Sequence, residues 1–384
     1  MKKTILFLLL LCALFPLLLL PVTAEGTDPL SVGEEIPEEY PSFLESIPKE
    51  VLELLPEELF SQKSQDVEDA TRRMSSFSFL LKALFTAVGA ELGGCLRLLA
   101  SVCGLLILSS VFRTLRSSIG GEGIGRAFSF CSSLSILSVL IAKGYESIGR
   151  FTSSFSTLNA MTAALLPLLG VLYAMGGNLG TAVSATAGLS VYMTLMEELV
   201  GKSILPFCCI CLAFALVGAL DTGIRVGGLL STVKKNYTTA LAFLMMLLLA
   251  MLSAQTVLSA GSDSLAMRSA KFAAGNLIPV VGGSVSELLR TVSTGVGYLR
   301  STLGICSILL LLLTLLPTLV QLLLTRLTWQ LCASFADLLG CDGEKKLLDE
   351  FASLEGYLLA ALTICSSVLV LSLTLLVRCA TALG

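Results

Sequence analysis

Residues 303–324 read LGICSILLLLLTLLPTLVQLLL, an apolar run of 22 residues without a charged side chain. About 20 such residues, wound as an α-helix, cover the hydrocarbon thickness of a bilayer. The rest of the chain has the same character, since 14% of its residues are charged and its mean hydropathy is +0.88. Soluble domains carry about 25% charged residues. The sequence therefore predicts a helical protein whose main solvent is lipid.

Apolar runs on both sides of this stretch predict further membrane-spanning helices. Two of them, residues 127–142 and 181–196, are short for a complete crossing. The predicted spans are residues 93–112, 127–142, 159–174, 181–196, 203–220, 237–260, 303–324 and 357–377. The expected fold class is all-α: a polytopic membrane helical bundle of about seven or eight spans, with a re-entrant or broken helix.

Basic residues between the spans predict the orientation, because Lys and Arg concentrate in cytoplasmic loops. A first span that starts outside delivers three arginines to the inside: Arg113, Arg116 and Arg126. Continued alternation places six further cations inside: Arg225, Lys234, Lys235, Arg326, Lys345 and Lys346. Residues 261–301 are an exception, because this loop would lie outside and yet is basic. It contains either an additional membrane element or cations with a local purpose.

The N-terminus has the features of a secretory signal peptide. Lys2 and Lys3 precede an apolar stretch, and residues 22–24 offer small side chains for cleavage before Glu25. An uncleaved signal anchor is the alternative, because the apolar stretch is long. The predicted organisation is a signal peptide (1–24), an acidic extracytoplasmic segment (25–75) and a polytopic helical membrane domain (76–384).

The acidic segment is expected to be loosely ordered in large part. Residues 25–70 contain fourteen of the 28 acidic residues and five prolines, with Lys49 and Lys63 as their only cations. Such a composition buries little apolar surface. A short helix is predicted from Ser46, because Pro48 suits a first helical turn and several apolar residues follow on one side.

Residues 271–283 read KFAAGNLIPVVGG, an interrupted apolar stretch that is too short to cross a bilayer. Non-helical backbone at membrane depth persists only where it is buried in protein or lines a wet cavity. A re-entrant hairpin or broken helix fits this stretch, and a surface amphipathic loop is the alternative. The residues predicted for this gate segment are Arg268, Lys271, Gly275, Asn276, Pro279, Gly282 and Gly283.

Small residues recur at every fourth position from the end of the third predicted span into the fourth, and on a helix they form one smooth stripe. The members of this small-residue stripe are Gly176, Gly180, Ser184 and Gly188. The stripe predicts helix packing, either as a tight and moving interface or, preferably, as ordinary contact within the bundle.

No catalytic, cofactor or metal site emerges, so the chain is predicted not to be an enzyme. It has no histidine, which excludes Ser-His and Cys-His nucleophile pairs. Residues 221–223 imitate an aspartic protease triplet without a second copy. The cysteines lie mostly in apolar runs, where they act as small hydrophobic residues. If energy is consumed, a partner must provide the nucleotide site.

Two groups of residues carry a specific resemblance. The first is SAQ at 253–255 followed by LAMRSAKF at 265–272 and GNLIPV at 275–280, and the second is ALLPLL at 164–169 followed by GG at 176–177. With a signal peptide and an acidic segment before a polytopic body, the chain resembles the stage III sporulation protein AE family of endospore-forming bacteria. The resemblance extends from residue 76 to the C-terminus.

This resemblance implies a place and a set of partners. The chain would be a multi-pass protein of the mother-cell membrane that engulfs the forespore. Its partners would be other stage III sporulation membrane and ring proteins, the cytoplasmic ATPase of the same complex and the lipid bilayer, but no nucleic acid. The family implies no catalytic residue and no cofactor.

The expected function is a non-enzymatic integral membrane core of the transenvelope channel or secretion complex that links mother cell and forespore. The gate segment would line or gate the passage, the acidic segment would meet ring proteins, and the basic inner loops would meet the ATPase or anionic lipid. A passive assembly scaffold and a stand-alone small-molecule transporter are the alternatives. The transporter usually shows inverted repeats, and the sequence has no convincing repeat.

Overall fold

A computed structural model describes residues 36–119, 122–175, 179–219, 227–277 and 282–381, and within these ranges the chain is all-helical. A short N-terminal group consists of α1 (Glu39–Glu45), α2 (Lys49–Leu52), a 3₁₀ turn (Glu57–Phe60) and α3 (Ser64–Met74). The helices of the body are α4 (Phe77–Ile119), α5 (Glu122–Met175), α6 (Leu179–Met196), α7 (Ile204–Ala219), α8 (Gly227–Leu277), α9 (Gly282–Leu338) and α10 (Asp342–Thr381).

The helical class and its membrane character agree with the sequence, whereas the predicted number of spans is not confirmed. Over the described ranges, four helical stretches are long and apolar enough to cross a membrane: Phe77–Phe112, Leu134–Met175, Thr302–Leu338 and Asp342–Thr374. The seven or eight predicted spans are thus not confirmed.

Helix α5 accounts for part of this difference. Residues 127–142 and 159–174, predicted as two spans, lie on this one helix of 54 residues. At 1.5 Å per residue it is about 80 Å long. A helix that does not turn back crosses a bilayer once, so these two runs do not form two crossings.

Helices α6 and α7 correspond to residues 181–196 and 203–220 of the prediction. A π-helical turn, Glu197–Gly201, joins them, and the Lys202 N–H donates to the Glu197 carbonyl at 3.0 Å. Met196 and Lys202 on either side keep right-handed helical backbone angles. Such π turns widen a helix locally and occur often at functional sites. At this exposed turn the neighbouring Glu198 carboxylate raises the pKa of Lys202.

A tight turn joins α9 to α10. Gly340 has a φ of 68°, a left-handed conformation that glycine adopts without steric cost. The Cys341 N–H donates to the Ala336 carbonyl at 2.9 Å, which closes the C-terminal end of α9. Asp342 and Glu344 then lie in the first turn of α10, where the helix dipole favours acidic groups. The two helices pack along each other as an antiparallel pair.

The N-terminal group is better ordered than its composition predicts. Its apolar residues are buried against α5 and α9: Tyr40, Phe43, Leu44, Ile47, Val51, Leu55, Leu59, Val67, Ala70 and Met74. The Tyr40 hydroxyl donates to the Leu59 carbonyl at 3.2 Å and lies 3.9 Å from the Cys306 Sγ on α9. Burial raises the pKa of Tyr40, so its hydroxyl stays neutral.

The bundle contains two apolar cores. The large core unites the N-terminal group with α5 to α10, including Phe155 and Leu311. The small core lies at the turn between α9 and α10 and includes Leu106, Leu140 and Trp329. Ser109 of α4 donates to the Glu344 carboxylate at 2.8 Å beside this small core. The end of α4 and the α9–α10 turn therefore lie at the same end of the bundle, as the predicted orientation requires.

Candidate functional site

Charged and polar side chains form a layer between the two cores. They come from five helices, although most of the surrounding residues are apolar. The members of this polar layer are Glu91 on α4; Lys143, Glu146, Ser147 and Arg150 on α5; Lys234 on α8; Arg326 and Trp329 on α9; and Glu350, Ser353 and Glu355 on α10.

Helix α5 presents its charges as a ladder, because residues three and four apart share a helix face. Lys143 lies 2.8 Å from the Glu146 carboxylate, and Arg150 lies 3.2 Å from it. Arg150 also reaches Glu91 of α4 at 2.6 Å. The ladder therefore pairs its charges within α5 and ties that helix to α4.

Lys234 of α8 is 4% exposed and pairs with Glu350 of α10. Its Nζ also lies 3.2 Å from the Ser353 Oγ and 5.8 Å from the centre of the Tyr357 ring. A buried ammonium group needs such partners, because an unpaired one would carry a large desolvation cost. This pair links α8 to α10 within the layer.

Arg326 of α9 lies directly against the backbone of α10 at Gly356. A Cβ atom at that position would stand 2.9 Å from the guanidinium carbon. Gly356 therefore provides the space that the half-buried guanidinium occupies. The same kind of close approach occurs at Gly144 of α5, where a Cβ would stand 3.1 Å from the Phe351 ring.

Glu355 is the most deeply buried acidic residue of the layer, with 1% of its surface exposed. Ser147 of α5 and Trp329 of α9 face its carboxylate. However, neither carboxylate oxygen forms a hydrogen bond of normal geometry with any described residue, and the two donors that face it, the Ser147 hydroxyl and the Trp329 Nε1, do not reach that geometry. Buried polar groups are nearly always hydrogen-bonded, so this arrangement calls for an explanation.

The layer marks one end of four uncharged runs: residues 151–175 on α5, 236–262 on α8, 301–325 on α9 and 356–377 on α10. These runs contain 22 to 27 residues, which is enough to cross a bilayer. Arg150, Lys235, Arg326 and Glu355 immediately precede or follow them. Ionisable groups at the edge of, or within, membrane-spanning helices usually serve a function.

The gate segment occupies the junction of α8 and α9. Arg268, Lys271, Gly275 and Asn276 lie on the last turns of α8, which ends at Leu277, and Gly282 and Gly283 begin α9. Pro279 lies outside the described residues. Residues 261–277 and 282–301, expected as a loop with an extra element, are thus helical. The four positions between these two helices, 278–281, lie outside the described residues.

The small-residue stripe is partly described. Gly180, Ser184 and Gly188 all lie on α6, and their exposure falls along the helix from exposed to half-buried to buried. Gly176 lies outside the described residues. Helix α6 packs against α5 and α8, and Thr186 on α6 would stand 3.6 Å from a Cβ at Gly170 of α5.

Sequence reasoning did not find the polar layer. Lys143, Glu146 and Arg150 lie between two predicted spans, and Glu355 lies two positions before the last one, but no role was predicted for any of them. The spacing of the α5 charges at i, i+3 and i+7 was the available sign of a helical face. Within the described residues, no group of three or more His, Cys, Asp and Glu side chains is arranged to hold a metal ion.

Comparison with known proteins connects this architecture to one family. The sequence model of stage III sporulation protein AE matches residues 62–380. The stage III sporulation protein AE of Bacillus subtilis (strain 168) is 25% identical over 300 residues, which cover 77% of this chain and 74% of that protein. No solved structure matches the chain. The matched region contains α4 to α10 almost entirely, together with the polar layer and the gate segment, and the chain belongs to the stage III sporulation protein AE family.

Proposed function

We propose that this chain is a non-enzymatic integral membrane core of the transenvelope channel or secretion complex that links mother cell and forespore during endospore formation. Family membership supports a role in sporulation, and the family is not one of known enzymes. Four helices suited to crossing a membrane support a membrane location. The proposed location is the mother-cell membrane around the forespore.

The observation that carries this proposal is the length of α8 and α9. They have 51 and 57 residues, or about 75 and 85 Å, against a hydrocarbon thickness of about 30 Å. Helix α8 continues for 15 residues, about 22 Å, beyond its uncharged run. The contact between Tyr40 and Cys306 joins the N-terminal group to the middle of α9, 24 residues after its first residue. A helical pair of this length suits a protein that reaches from one bilayer toward another.

In this proposal the gate segment closes or lines the passage at the junction of these two helices. The acidic N-terminal group offers its carboxylates to ring-forming proteins of the complex, and the basic loops at the opposite end contact the ATPase or anionic lipid. The chain supplies the platform and the partner ATPase supplies the energy.

The gate assignment is tested with the double substitution Pro279→Leu and Gly282→Leu in the native host. Both replacements are apolar, so insertion should be preserved, while the interruption needed for gating is removed. We expect normal amounts of protein in the membrane fraction and a strong loss of heat-resistant spores. Gly228→Leu on α8 is the matched control, because a side chain there meets open space. Normal sporulation in the double mutant would remove the gate assignment.

Purified chain in liposomes separates the alternatives. Solute flux without any partner would favour a stand-alone transporter over a core that needs its complex. If the chain is a passive scaffold, the gate substitutions should leave sporulation unchanged. Under the same alternative, disruption of the surface helices should prevent assembly of the partner proteins.

A further inference from the structure

Polar side chains continue from Glu355 along one face of α9 into the large core. They are Thr318, Gln321, Thr325 and Trp329, spaced three or four residues apart and at most 8% exposed. From Thr318 to Trp329 the row advances eleven residues along α9, or about 16 Å. The Thr318 hydroxyl is 2.5 Å from Ser154 on α5, which places this face against α5. We call this row, with Ser147, Ser154 and Glu355, the polar seam.

Most atoms of the seam have no hydrogen-bond partner within the described part of the chain. They are the Ser147 Oγ, both amide atoms of Gln321, the Thr325 Oγ1, the Trp329 Nε1 and both Glu355 oxygens. An unpaired buried polar group costs on the order of 1–3 kcal/mol. Ordered water in the seam would provide partners for several of these groups at once. Water needs two to four polar partners, and this row provides them.

The donor chemistry of the seam indicates which species binds at Glu355. Trp329 can only donate a hydrogen bond, so it cannot coordinate a metal ion. The Lys143 ammonium influences Glu355 from α5, which opposes binding of a further metal cation. A single carboxylate faced by N–H and O–H donors instead suits the exchange of a proton with water.

We propose that Glu355 is a proton-binding site of the bundle, reached through a hydrated polar seam along α9. In the step, a hydronium in the seam transfers its proton to the Glu355 carboxylate, which forms the neutral carboxylic acid and leaves a water molecule. The titratable and charged groups that face or flank Glu355 from the packed helices are Lys143 and Glu146 on α5, Cys208 on α7, and Arg326 on α9. Protonation removes one negative charge from the polar layer.

With this site the bundle would do more than provide a structural platform. A proton gradient would change the protonation of Glu355 and with it the net charge of the polar layer. The inference does not depend on the proposed function. It concerns the isolated chain and would stand if the conduit role failed.

The test uses Trp329, the only tryptophan in the sequence, as a reporter at the site. Full-length protein in lipid nanodiscs is titrated from acid to alkaline pH while tryptophan fluorescence is recorded. We expect one titration in the wild type, because a carboxylic acid and a carboxylate quench a neighbouring indole differently. Glu355→Gln should abolish it, and Glu198→Gln on the exposed π turn should leave it unchanged. Helix content by circular dichroism confirms that both variants are folded.

A second variant keeps the inference testable if Glu355→Gln does not fold. Glu355→Asp retains an ionisable group but moves it by one methylene, so the midpoint of the titration should shift. Infrared difference spectra between acid and alkaline samples should show a carboxylic acid band that Glu355→Gln lacks. A titration that persists in folded Glu355→Gln, an unchanged midpoint in Glu355→Asp, or no titration in the wild type would each overturn the assignment.

Discussion

Single residues determine how closely the helices of the polar layer approach one another. Gly356 leaves room for the Arg326 guanidinium, and Gly144 leaves room for the Phe351 ring. The buried state of Glu355 depends on residues 147, 208 and 329, which are far apart in the sequence. For that reason the sequence alone did not indicate that this acidic side chain, two positions before the last predicted span, is buried. Local patterns reveal the face of a helix, whereas burial is decided by the helices that pack on it.

Replacement of Gly356 by Leu should destabilise the protein. The new side chain must displace the Arg326 guanidinium, which a Cβ alone would already approach to 2.9 Å. Overpacking of this kind costs about 1–3 kcal/mol. Thermal unfolding in detergent is the measurement. Gly149→Leu on α5, where nothing lies within 4 Å, is the control and should retain or gain stability. Equal unfolding midpoints for the two variants would contradict the close packing at Gly356.

At the scale of helices, the apolar runs indicated correctly where helices lie, but they did not show where one helix ends and the next begins. Residues 303–324 and 357–377 lie on α9 and α10 as predicted, because their length without charge requires a continuous helix in lipid. The separation of residues 127–142 from 159–174 failed because charges between them were assigned to a loop. Lys143, Glu146 and Arg150 form ion pairs with one another, and Arg150 also pairs with Glu91 of α4. The helix therefore continues through these charges without a break.

The pair of Lys234 and Glu350 should couple α8 to α10. Glu350→Gln leaves a buried ammonium without its counter-charge, and we expect a loss of about 2 kcal/mol, because Glu350 is partly exposed and solvent reduces the full buried-pair value. Lys234→Met combined with Glu350→Leu should recover most of it, since no unpaired charge remains. Unfolding free energies of Lys234→Met, Glu350→Leu and the double variant provide a double-mutant cycle. Strictly additive losses would show that the two side chains do not interact.

At the scale of the whole molecule, the N-terminal group is part of the bundle rather than a separate appendage. Its acidic composition predicted loose order, yet its apolar residues lie at intervals that place them on the inner side of α1, α2 and α3. Composition averages over both sides of a helix, so it could not show that one side would find a surface on α5 and α9. Residues 271–283 show the opposite case, because the sequence itself predicted an irregular stretch there. Helix α8 ends and α9 begins within these residues.

Loss of the Tyr40 side chain should release the N-terminal group. Tyr40→Ala removes a buried aromatic ring and its hydrogen bond to Leu59, a change that costs about 3–5 kcal/mol in other cores. We expect faster trypsin cleavage at Lys49 and Lys63 in membranes that contain the variant. Leu54→Ala is the control, because Leu54 is 42% exposed and should leave the cleavage rate unchanged. Protection identical to the wild type in Tyr40→Ala would mean that the group is held by other contacts.

The contact between Tyr40 and Cys306 also has a consequence for biosynthesis. The two residues are 266 positions apart, so the first of them leaves the ribosome long before the second. At 5–20 residues per second the delay is on the order of 15–50 s. During that interval the surface that α9 provides is absent, and α5 alone can cover the apolar side of the N-terminal helices. The N-terminal group therefore completes its packing only after α9 has been synthesised.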